Sequence, residues 1–331
     1  MRPRLLSSFR KTKRSYHRVL LLLVVLALVA TSALGDTRRR AVHRPSKQPL
    51  RTDYAVEVIR DVTYASVEGF DLKLNIVRPI GPTGKVPAIL FLPKLILSED
   101  SREYGIPRLE IFAQRGYFGI SADVRRNAQF PAQIEDIKAA IRFLRANATA
   151  YGIDTSKIAA FGYYEGGYLV ALAAASGNAD QWNNSGGSQG FASNIQAVAP
   201  VGTYWDWFTF PSGCEGWATD AITRIMGCRP SQCPDLAREA SIGTYATEET
   251  PPFFNIGSGN NYVAPGSNRR CDIEGSKNLH HQLISRGIES MFWEGPDCGG
   301  DSGNCLNNEK NLDRVRSFFD EVLGVTRAPD E

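Results

Sequence analysis

Histidine is scarce in this chain, which narrows the chemistry available to it. The 331 residues include four histidines: His17 and His43 near the N-terminus, and the consecutive pair His280 and His281. Consecutive residues on a helix point in different directions, and the cysteines contain no C-x-x-C pair. A zinc site needs ligands that converge on one point, so this composition disfavours zinc. We expect neither a metal nor a cofactor.

Acidic residues are absent from the first 35 positions, where a basic stretch precedes an apolar run at residues 19–30. This order predicts a secretory signal at residues 1–35, with Ala33 and Gly35 at the −3 and −1 positions of the cleavage site. The run is shorter than the ~20 apolar residues of a spanning helix. Because the basic stretch is long, an uncleaved signal anchor that tethers the chain to a membrane is the alternative, and a mitochondrial presequence is a third. The first two place the protein in the secretory pathway, extracellular or anchored.

A nucleic-acid-binding surface is not indicated, because the positive charge is confined to one end. Residues 1–52 hold 13 basic residues and one acidic residue, whereas the remainder holds 25 basic and 34 acidic residues. The globular part is therefore acidic. Residues 36–53 form a basic spacer, solvated or in contact with anionic lipid.

Cysteine is absent before residue 214, and all six cysteines lie beyond residue 213. They are Cys214, Cys228, Cys233, Cys271, Cys298 and Cys305. An even number behind a secretory signal predicts three disulfides, with 15 connectivities open. Asn147 and Asn183 each begin an N-x-S/T triplet, which predicts N-glycosylation in the same compartment.

Predicted strands and helices alternate along residues 54–325, with no internal repeat or low-complexity segment. Alternating or continuous apolar residues predict strands at 56–65, 70–77, 86–92, 117–122, 158–161, 195–201, 253–257 and 290–293. Helical spacing predicts helices that end near 116 and 151, and helices at 165–175, 275–285 and 308–323. The alternation predicts an α/β fold whose mostly parallel central sheet has helices on both faces.

Residues 203–250 break this alternation and are rich in aromatic residues and cysteine. We expect them to form a disulfide-rich cap or insert over the strand ends. The aromatic cluster at residues 204–210 either packs this cap onto the core or forms a platform for a ligand.

A strand, a tight turn and a helix are predicted in succession at residues 158–172. Gly162, Gly166 and Gly167 stand where a G-x-S-x-G-G motif has its glycines, and Tyr164 stands at the serine position. Such a turn, the nucleophile elbow, holds a small hydroxyl on a strained backbone. A phenol has a pKa near 10 and stays mostly protonated at neutral pH. The sequence therefore predicts an elbow without its nucleophile.

This motif and the segments at residues 59–64, 130–145, 195–199 and 251–254 resemble the α/β-hydrolase superfamily, in particular its carboxylesterase, lipase and feruloyl-esterase-like branch. The resemblance extends over residues 54–324 and implies the α/β-hydrolase fold. It places the acid of the catalytic triad at Asn260, or at Asn261 if the register slips by one, and the base at Cys298. The oxyanion loop corresponds to residues 92–96, which contain no glycine and include Pro93, a residue without an N–H. The resemblance thus implies a degenerate triad.

The replacing residues have two interpretations. Glu165 as a base, Cys298 as a thiol nucleophile and Tyr164 as an acid would form a new catalytic group. The structural interpretation assigns Glu165 to the favourable N-terminus of a helix, where a carboxylate gains ~0.3–1 kcal/mol. It assigns Cys298 to a disulfide, with Cys305 as a candidate partner. The second interpretation needs no base near the elbow and is favoured.

Three functions follow from these expectations. The first is an inactive pseudoenzyme that binds an unidentified small ligand or protein partner. The alternative is a carboxylic ester hydrolase for feruloyl, acetyl or lipid esters with a non-standard site. The third is a structural subunit of an extracellular or membrane assembly.

Overall fold

An eight-stranded sheet forms the centre of the computed structural model, which describes residues 53–94, 100–177, 179–183, 185–258, 270–295 and 305–327. The strand order is β1-β2-β4-β3-β5-β6-β7-β8. Strand β2 is antiparallel to both β1 and β4, whereas β4, β3, β5, β6, β7 and β8 are parallel. The predicted mostly parallel sheet is confirmed. The strands are β1 Val56–Val67, β2 Phe70–Pro79, β3 Val86–Leu92, β4 Phe118–Ala122, β5 Ile153–Tyr163, β6 Ala197–Val201, β7 Phe253–Ser258 and β8 Ser290–Gly295.

Helices cover both faces of this sheet, as predicted. Neighbouring residues of β3 show why: Ile89 and Leu90 are both fully buried, but they belong to core clusters on opposite faces. The cluster of Leu90 contains residues of α2, α4 and α7, and the cluster of Ile89 contains residues of α1 and α8. The helices are α1 Ile106–Gln114, α2 Ala132–Ala146, α3 Ala148–Tyr151, α4 Glu165–Ala175, α5 Glu215–Met226, α6 Pro234–Glu239, α7 Cys271–Ser285 and α8 Glu309–Val322.

The described residues all belong to one compact unit, residues 48–331. The predicted signal or anchor at residues 1–35 lies outside the described residues. The predicted spacer also lies outside them as far as residue 52. Within the described part of the chain, every helix is too short or too polar to cross a membrane.

The insert at residues 203–250 contains α5 and α6 and is cross-linked by disulfides. Cys214 immediately precedes α5 and is bonded to Cys271, the first residue of α7. Cys228 is bonded to Cys233 between α5 and α6. Cys305 is also disulfide-bonded, whereas Cys298 lies outside the described residues.

Most of the aromatic cluster in this insert packs into the core. Tyr204, Trp205 and Trp207 are buried, whereas Phe208 is exposed. The ring of Trp207 lies 5.0 Å from that of Tyr168 on α4, edge to face. The cluster therefore joins the insert to the helix that follows β5, which was the first of its two interpretations.

The two predicted glycosylation sites use their amide nitrogens within the fold. Asn147 Nδ2 donates a hydrogen bond to the Phe143 carbonyl at 2.9 Å, and Asn183 Nδ2 donates to the Ala179 carbonyl at 3.3 Å. Modification at Asn147 and Asn183 stays a prediction.

Candidate functional site

The predicted elbow is present between β5 and α4, with a strained backbone at its tip. Tyr164 has φ 51° and ψ −123°, a conformation that costs a bulky residue about 1–3 kcal/mol. The Tyr164 N–H donates to the Val201 carbonyl at 3.1 Å, and the Tyr164 carbonyl accepts from the Tyr168 N–H at 2.9 Å. The turn is thus held from the neighbouring strand and from the following helix.

Close backbone contacts explain all three glycines of the motif. A Cβ on Gly162 would lie 2.7 Å from the Leu92 carbonyl oxygen, and one on Gly167 would lie 2.8 Å from the Val201 carbonyl oxygen. A Cβ on Gly166 would overlap the carbonyl oxygens of Leu92 and Pro93. The glycines are therefore required by packing alone, whatever residue occupies position 164.

Aromatic and cationic groups surround the Tyr164 ring. Its centroid lies 6.0 Å from that of Tyr163, and Lys94 Nζ lies 5.1 Å from it on the β3 side. Of the predicted oxyanion loop, Leu92, Pro93 and Lys94 are described and residues 95 and 96 lie outside. Pro93 follows β3 directly, so the first position after that strand offers no N–H.

Glu165, the first residue of α4, has a buried carboxylate of which only one oxygen is hydrogen-bonded among the described residues. Its Oε1 accepts a hydrogen bond from Arg224 Nη2 at 3.4 Å across to the insert helix α5. Its Oε2 is buried without a hydrogen-bond partner among the described residues. The sequence indicated the helix terminus but not Arg224, because no spacing pattern connects residues 59 positions apart.

A cavity of about 250 Å³ lies between the elbow and the insert. Its lining includes Thr203, whose Oγ1 is buried and also has no partner within the described residues. The charged groups at the cavity are two cations, Lys94 and Arg224, and two carboxylates, Glu165 and Asp220. The remaining lining is provided by Tyr164, Tyr168, Gly202, Tyr204, Trp207, Ala218, Ala221, Ile222 and Ile225.

The aromatic residues of this lining direct their polar atoms to the backbone. The Tyr168 hydroxyl and Trp207 Nε1 donate to the Ala240 carbonyl at 2.6 and 3.0 Å, and the Tyr204 hydroxyl donates to the Cys271 carbonyl at 3.1 Å. Burial raises the pKa of Tyr168, so its hydroxyl stays protonated. The polar atoms of these three side chains are therefore already hydrogen-bonded within the fold.

No histidine of the described residues reaches the elbow. His280 on α7 contacts Ser290 Oγ through Nδ1 at 2.9 Å, and burial followed by the neighbouring His281 lowers its pKa. Ser290 begins β8 and pairs with the first residue of β7, whereas Tyr164 follows the carboxyl end of β5. In a parallel sheet these are opposite edges. The two histidines described therefore cannot act as the base at Tyr164.

The other predicted triad positions fall outside the described residues. Asn260, its neighbour Asn261, and Cys298 are in this group, so the degenerate triad stays a prediction beyond Tyr164. Among the described residues, no group of three or more histidine, cysteine, aspartate or glutamate side chains could hold a metal ion.

Comparison with known families and sequences identifies esterase relatives. A model of the BD-FAE family matches residues 97–269, more than half of the chain, including the elbow and the insert. Esterase LipC of Mycobacterium tuberculosis is 29% identical over 197 residues, which cover 58% of this chain and 49% of LipC. The chain therefore spans about half the length of this curated relative.

Solved structures of similar fold are also esterases by name. A truncated carbohydrate esterase from gut microbiota aligns with a TM-score of 0.64 and 23% identity, covering 84% of this chain and all of that structure. A thermophilic esterase from the planctomycete Thermogutta terrifontis aligns with a TM-score of 0.61 and 21% identity, covering 84% and 97%. The predicted α/β-hydrolase fold is confirmed.

Proposed function

We propose, from the premise that the chain belongs to the BD-FAE family and is an esterase-like α/β-hydrolase, that its cavity beside Tyr164 binds a small ligand without serine-type ester hydrolysis. The single observation that carries the proposal is the residue at the tip of the elbow. Tyr164 occupies the strained conformation in which the elbow presents its nucleophile.

A tyrosine at this place cannot substitute for the serine of the relay. The relay needs a small hydroxyl within ~3 Å of a base that removes its proton. Tyr164 instead offers a ring that packs beside Tyr163 and Lys94. The half-satisfied carboxylate of Glu165 also lines the cavity, where it would repel the oxyanion that develops in ester hydrolysis.

Ligand binding is supported by the cavity itself. An apolar pocket with a few convergent polar groups is the usual form of a small-molecule site. The cavity has aromatic walls, and its lining includes the polar residues Lys94, Glu165, Thr203 and Arg224.

Ester hydrolysis through a non-standard site is the second candidate, and the comparisons favour it over loss of activity. LipC and the two similar structures are named as esterases. In this chain such an activity would depend on Tyr164 or Glu165, which lie at the elbow, or on Cys298, which the resemblance places at the position of the base.

Turnover of 4-nitrophenyl acetate and 4-nitrophenyl butyrate separates the two candidates. The full-length protein is compared with Tyr164→Phe, Glu165→Gln and Cys298→Ser, and a serine esterase of known activity serves as the positive control. We expect no turnover above the buffer rate. Turnover that disappears in any of these variants would overturn the proposal in favour of hydrolysis, whereas turnover retained in the triple variant is a contaminant.

We further propose that the protein enters the secretory pathway. The disulfides Cys214–Cys271 and Cys228–Cys233 support this, since disulfides persist in oxidising compartments. Peptide mapping of the mature N-terminus tests it. A chain that begins at residue 36 indicates a cleaved signal, an intact membrane-bound chain indicates an anchor, and an intact chain in the cytosol would contradict the proposal.

A further inference from the structure

We propose that the sheet edge at β8 is a docking surface for a second copy of this chain. Two β8 strands pair there in antiparallel orientation about a two-fold axis at Phe292, and the two sheets continue into one another. This interface lies at the last strand of the sheet and depends neither on a ligand at the elbow nor on catalysis.

The sheet has two edge strands, and they are built differently. Among the described residues, β1 pairs only with β2, and β8 pairs only with β7. β1 has irregular register, the charged residues Glu57, Arg60 and Asp61, and a positive φ at Asp61. Bulges and charges of this kind keep an edge strand from pairing with another chain. β8 keeps a regular register with β7, and Glu294 is its one charged residue. The second edge therefore lacks the protection of the first.

The backbone of β8 directs hydrogen-bonding groups away from the sheet. The Phe253 N–H donates to the Glu289 carbonyl at 3.0 Å, and Phe253 is paired with Ser290 in the parallel ladder. Alternate residues of a strand bond to the same neighbour, so the odd-numbered residues of β8 bond to β7. The N–H and C=O groups of Ser290, Phe292 and Glu294 therefore point outward, where a further strand can bond to them.

Both faces of this edge carry apolar side chains that are only partly covered. On the α7 side, the half-buried Phe292 ring lies 5.9 Å from that of His280, and Ile284, one turn further along α7, is 51% exposed. On the opposite side, the half-buried Trp293 packs against the core cluster that contains residues of α8. Met291 shares that side by strand alternation and is 48% exposed. A partner strand would cover apolar surface on both faces.

The side chains of β8 are complementary to themselves in one antiparallel register. Two copies centred on Phe292 place this ring opposite its own copy, Met291 opposite Trp293, and Ser290 opposite Glu294. Aromatic cross-strand pairs stabilise a sheet, and methionine sulfur packs favourably on aromatic rings. A register centred on Glu294 would instead place like charges opposite each other. The register centred on Phe292 also gives every outward N–H and C=O of residues 290–294 a partner, which commits the surface to a second copy of this chain.

Sedimentation equilibrium of the full-length protein tests the interface through charge. Phe292→Lys and Phe292→Glu each place two like charges opposite each other across the axis, and we expect each to raise the dimer dissociation constant at least about tenfold. In an equal mixture the opposite charges face each other, so we expect a heterodimer, which also shows that both variants are folded. Phe208→Lys is the matched control, because it introduces a lysine at a phenylalanine of the insert that is 49% exposed. Its dissociation constant should stay within about twofold of wild type.

Disulfide cross-linking tests the register. Every described cysteine already belongs to a disulfide, so an introduced thiol reacts separately. Facing Cα atoms of an antiparallel pair are ~4.5–5.5 Å apart, which a disulfide can span. Phe292→Cys should therefore form a covalent dimer when diamide oxidises its two thiols, whereas Met291→Cys alone should not. Met291→Cys mixed with Trp293→Cys should cross-link, because these positions face each other. Non-reducing electrophoresis measures all three.

The inference is overturned if the wild-type protein sediments as a monomer throughout the micromolar range, or if Phe292→Cys and Met291→Cys cross-link equally. A dimer that both charged substitutions at Phe292 leave intact also overturns it and points to another contact, such as one through the apolar run at residues 19–30. None of these outcomes involves the elbow, so failure here leaves the ester assay and the proposed function unaffected.

Discussion

Two regions of this protein bury polar side chains, and they treat them in opposite ways. On α2, Lys138 is fully buried and donates to the Ser176 carbonyl at 2.8 Å, to Ser193 Oγ at 3.3 Å and to the Ala179 carbonyl at 3.4 Å. Arg142, one turn further, donates to the carbonyls of Ser185 and Gly187. We call these residues the α2 network.

At the elbow, by contrast, burial is not matched by pairing. Tyr164 is held in a strained conformation, and Glu165 and Thr203 each bury an oxygen without a partner in the described residues. We call these residues the elbow cavity. Other buried side chains also keep one atom unpaired in the described part of the chain, among them Gln133 and Arg145 on α2 itself, so the combination of unpaired oxygens with the strained Tyr164 distinguishes the elbow cavity from the α2 network.

The largest effect is expected from the backbone of the elbow itself. Gly166→Ala would place a Cβ against two backbone oxygens that cannot move away independently. We expect a loss of about 3 kcal/mol or more in the free energy of unfolding, the upper end of overpacking effects. Denaturant unfolding checks this.

Gly216→Ala is the matched control for that substitution, because its Cβ meets nothing within 4 Å on helix α5. We expect it to stabilise the protein by about 0.5–1 kcal/mol, since alanine has the higher helix propensity. Equal effects at both glycines would show that the elbow is not tightly packed.

The α2 network is expected to respond strongly to the loss of one cation. Lys138→Met removes the three hydrogen bonds that the buried ammonium donates, for which we expect a loss of about 2 kcal/mol or more. Lys310→Met, at an exposed position on α8, should change stability by less than about 0.5 kcal/mol. If Lys138→Met left the free energy of unfolding unchanged, the contrast between the two regions would be removed.

A pair of substitutions isolates the strain at Tyr164. Because φ is 51° there, we expect Tyr164→Gly to be more stable than Tyr164→Ala by about 1 kcal/mol. At Tyr163, which lies in β5, the order should reverse, since glycine weakens a strand. The same order at both positions would contradict a strained tip.

The smallest effects are expected from two hydroxyl groups, one from each region. Ser193→Ala removes an oxygen that bonds to Lys138 and to Asn183 and should cost about 1 kcal/mol. Thr203→Val removes an unpartnered oxygen and should cost nothing or stabilise the protein slightly. Chemical denaturation of both variants in one buffer compares them, and a Thr203→Val loss as large as that of Ser193→Ala would oppose the assignment of Thr203 to the elbow cavity.

Local patterns in the sequence predicted most of the fold. The continuous apolar run of β3 matched the strand Val86–Leu92 to the residue, because a strand buried on both faces leaves no ambiguity. β6 begins at Ala197, later than the predicted residue 195. At its start the Gln196 side chain accepts a hydrogen bond from the Ile158 N–H, so a side chain takes the place of a ladder carbonyl there.

Patterns in the sequence predicted only part of the site. Glycine spacing predicted the elbow, and the residue identity predicted that Tyr164 replaces a nucleophile. The contact of Glu165 with Arg224 and the unsatisfied Thr203 oxygen depend on how the insert folds over the sheet. Disulfide pairing was open for the same reason, because Cys214 and Cys271 are 57 residues apart.

The most direct test of the central claim is covalent labelling of the full-length protein with a fluorophosphonate, which reacts with activated serine nucleophiles. Intact mass spectrometry reads out the product, with a serine esterase labelled in parallel. We expect the esterase to be modified fully and this protein to keep its unmodified mass, because the elbow carries Tyr164 and no activated hydroxyl. A stoichiometric adduct on any residue of the elbow cavity would contradict the account.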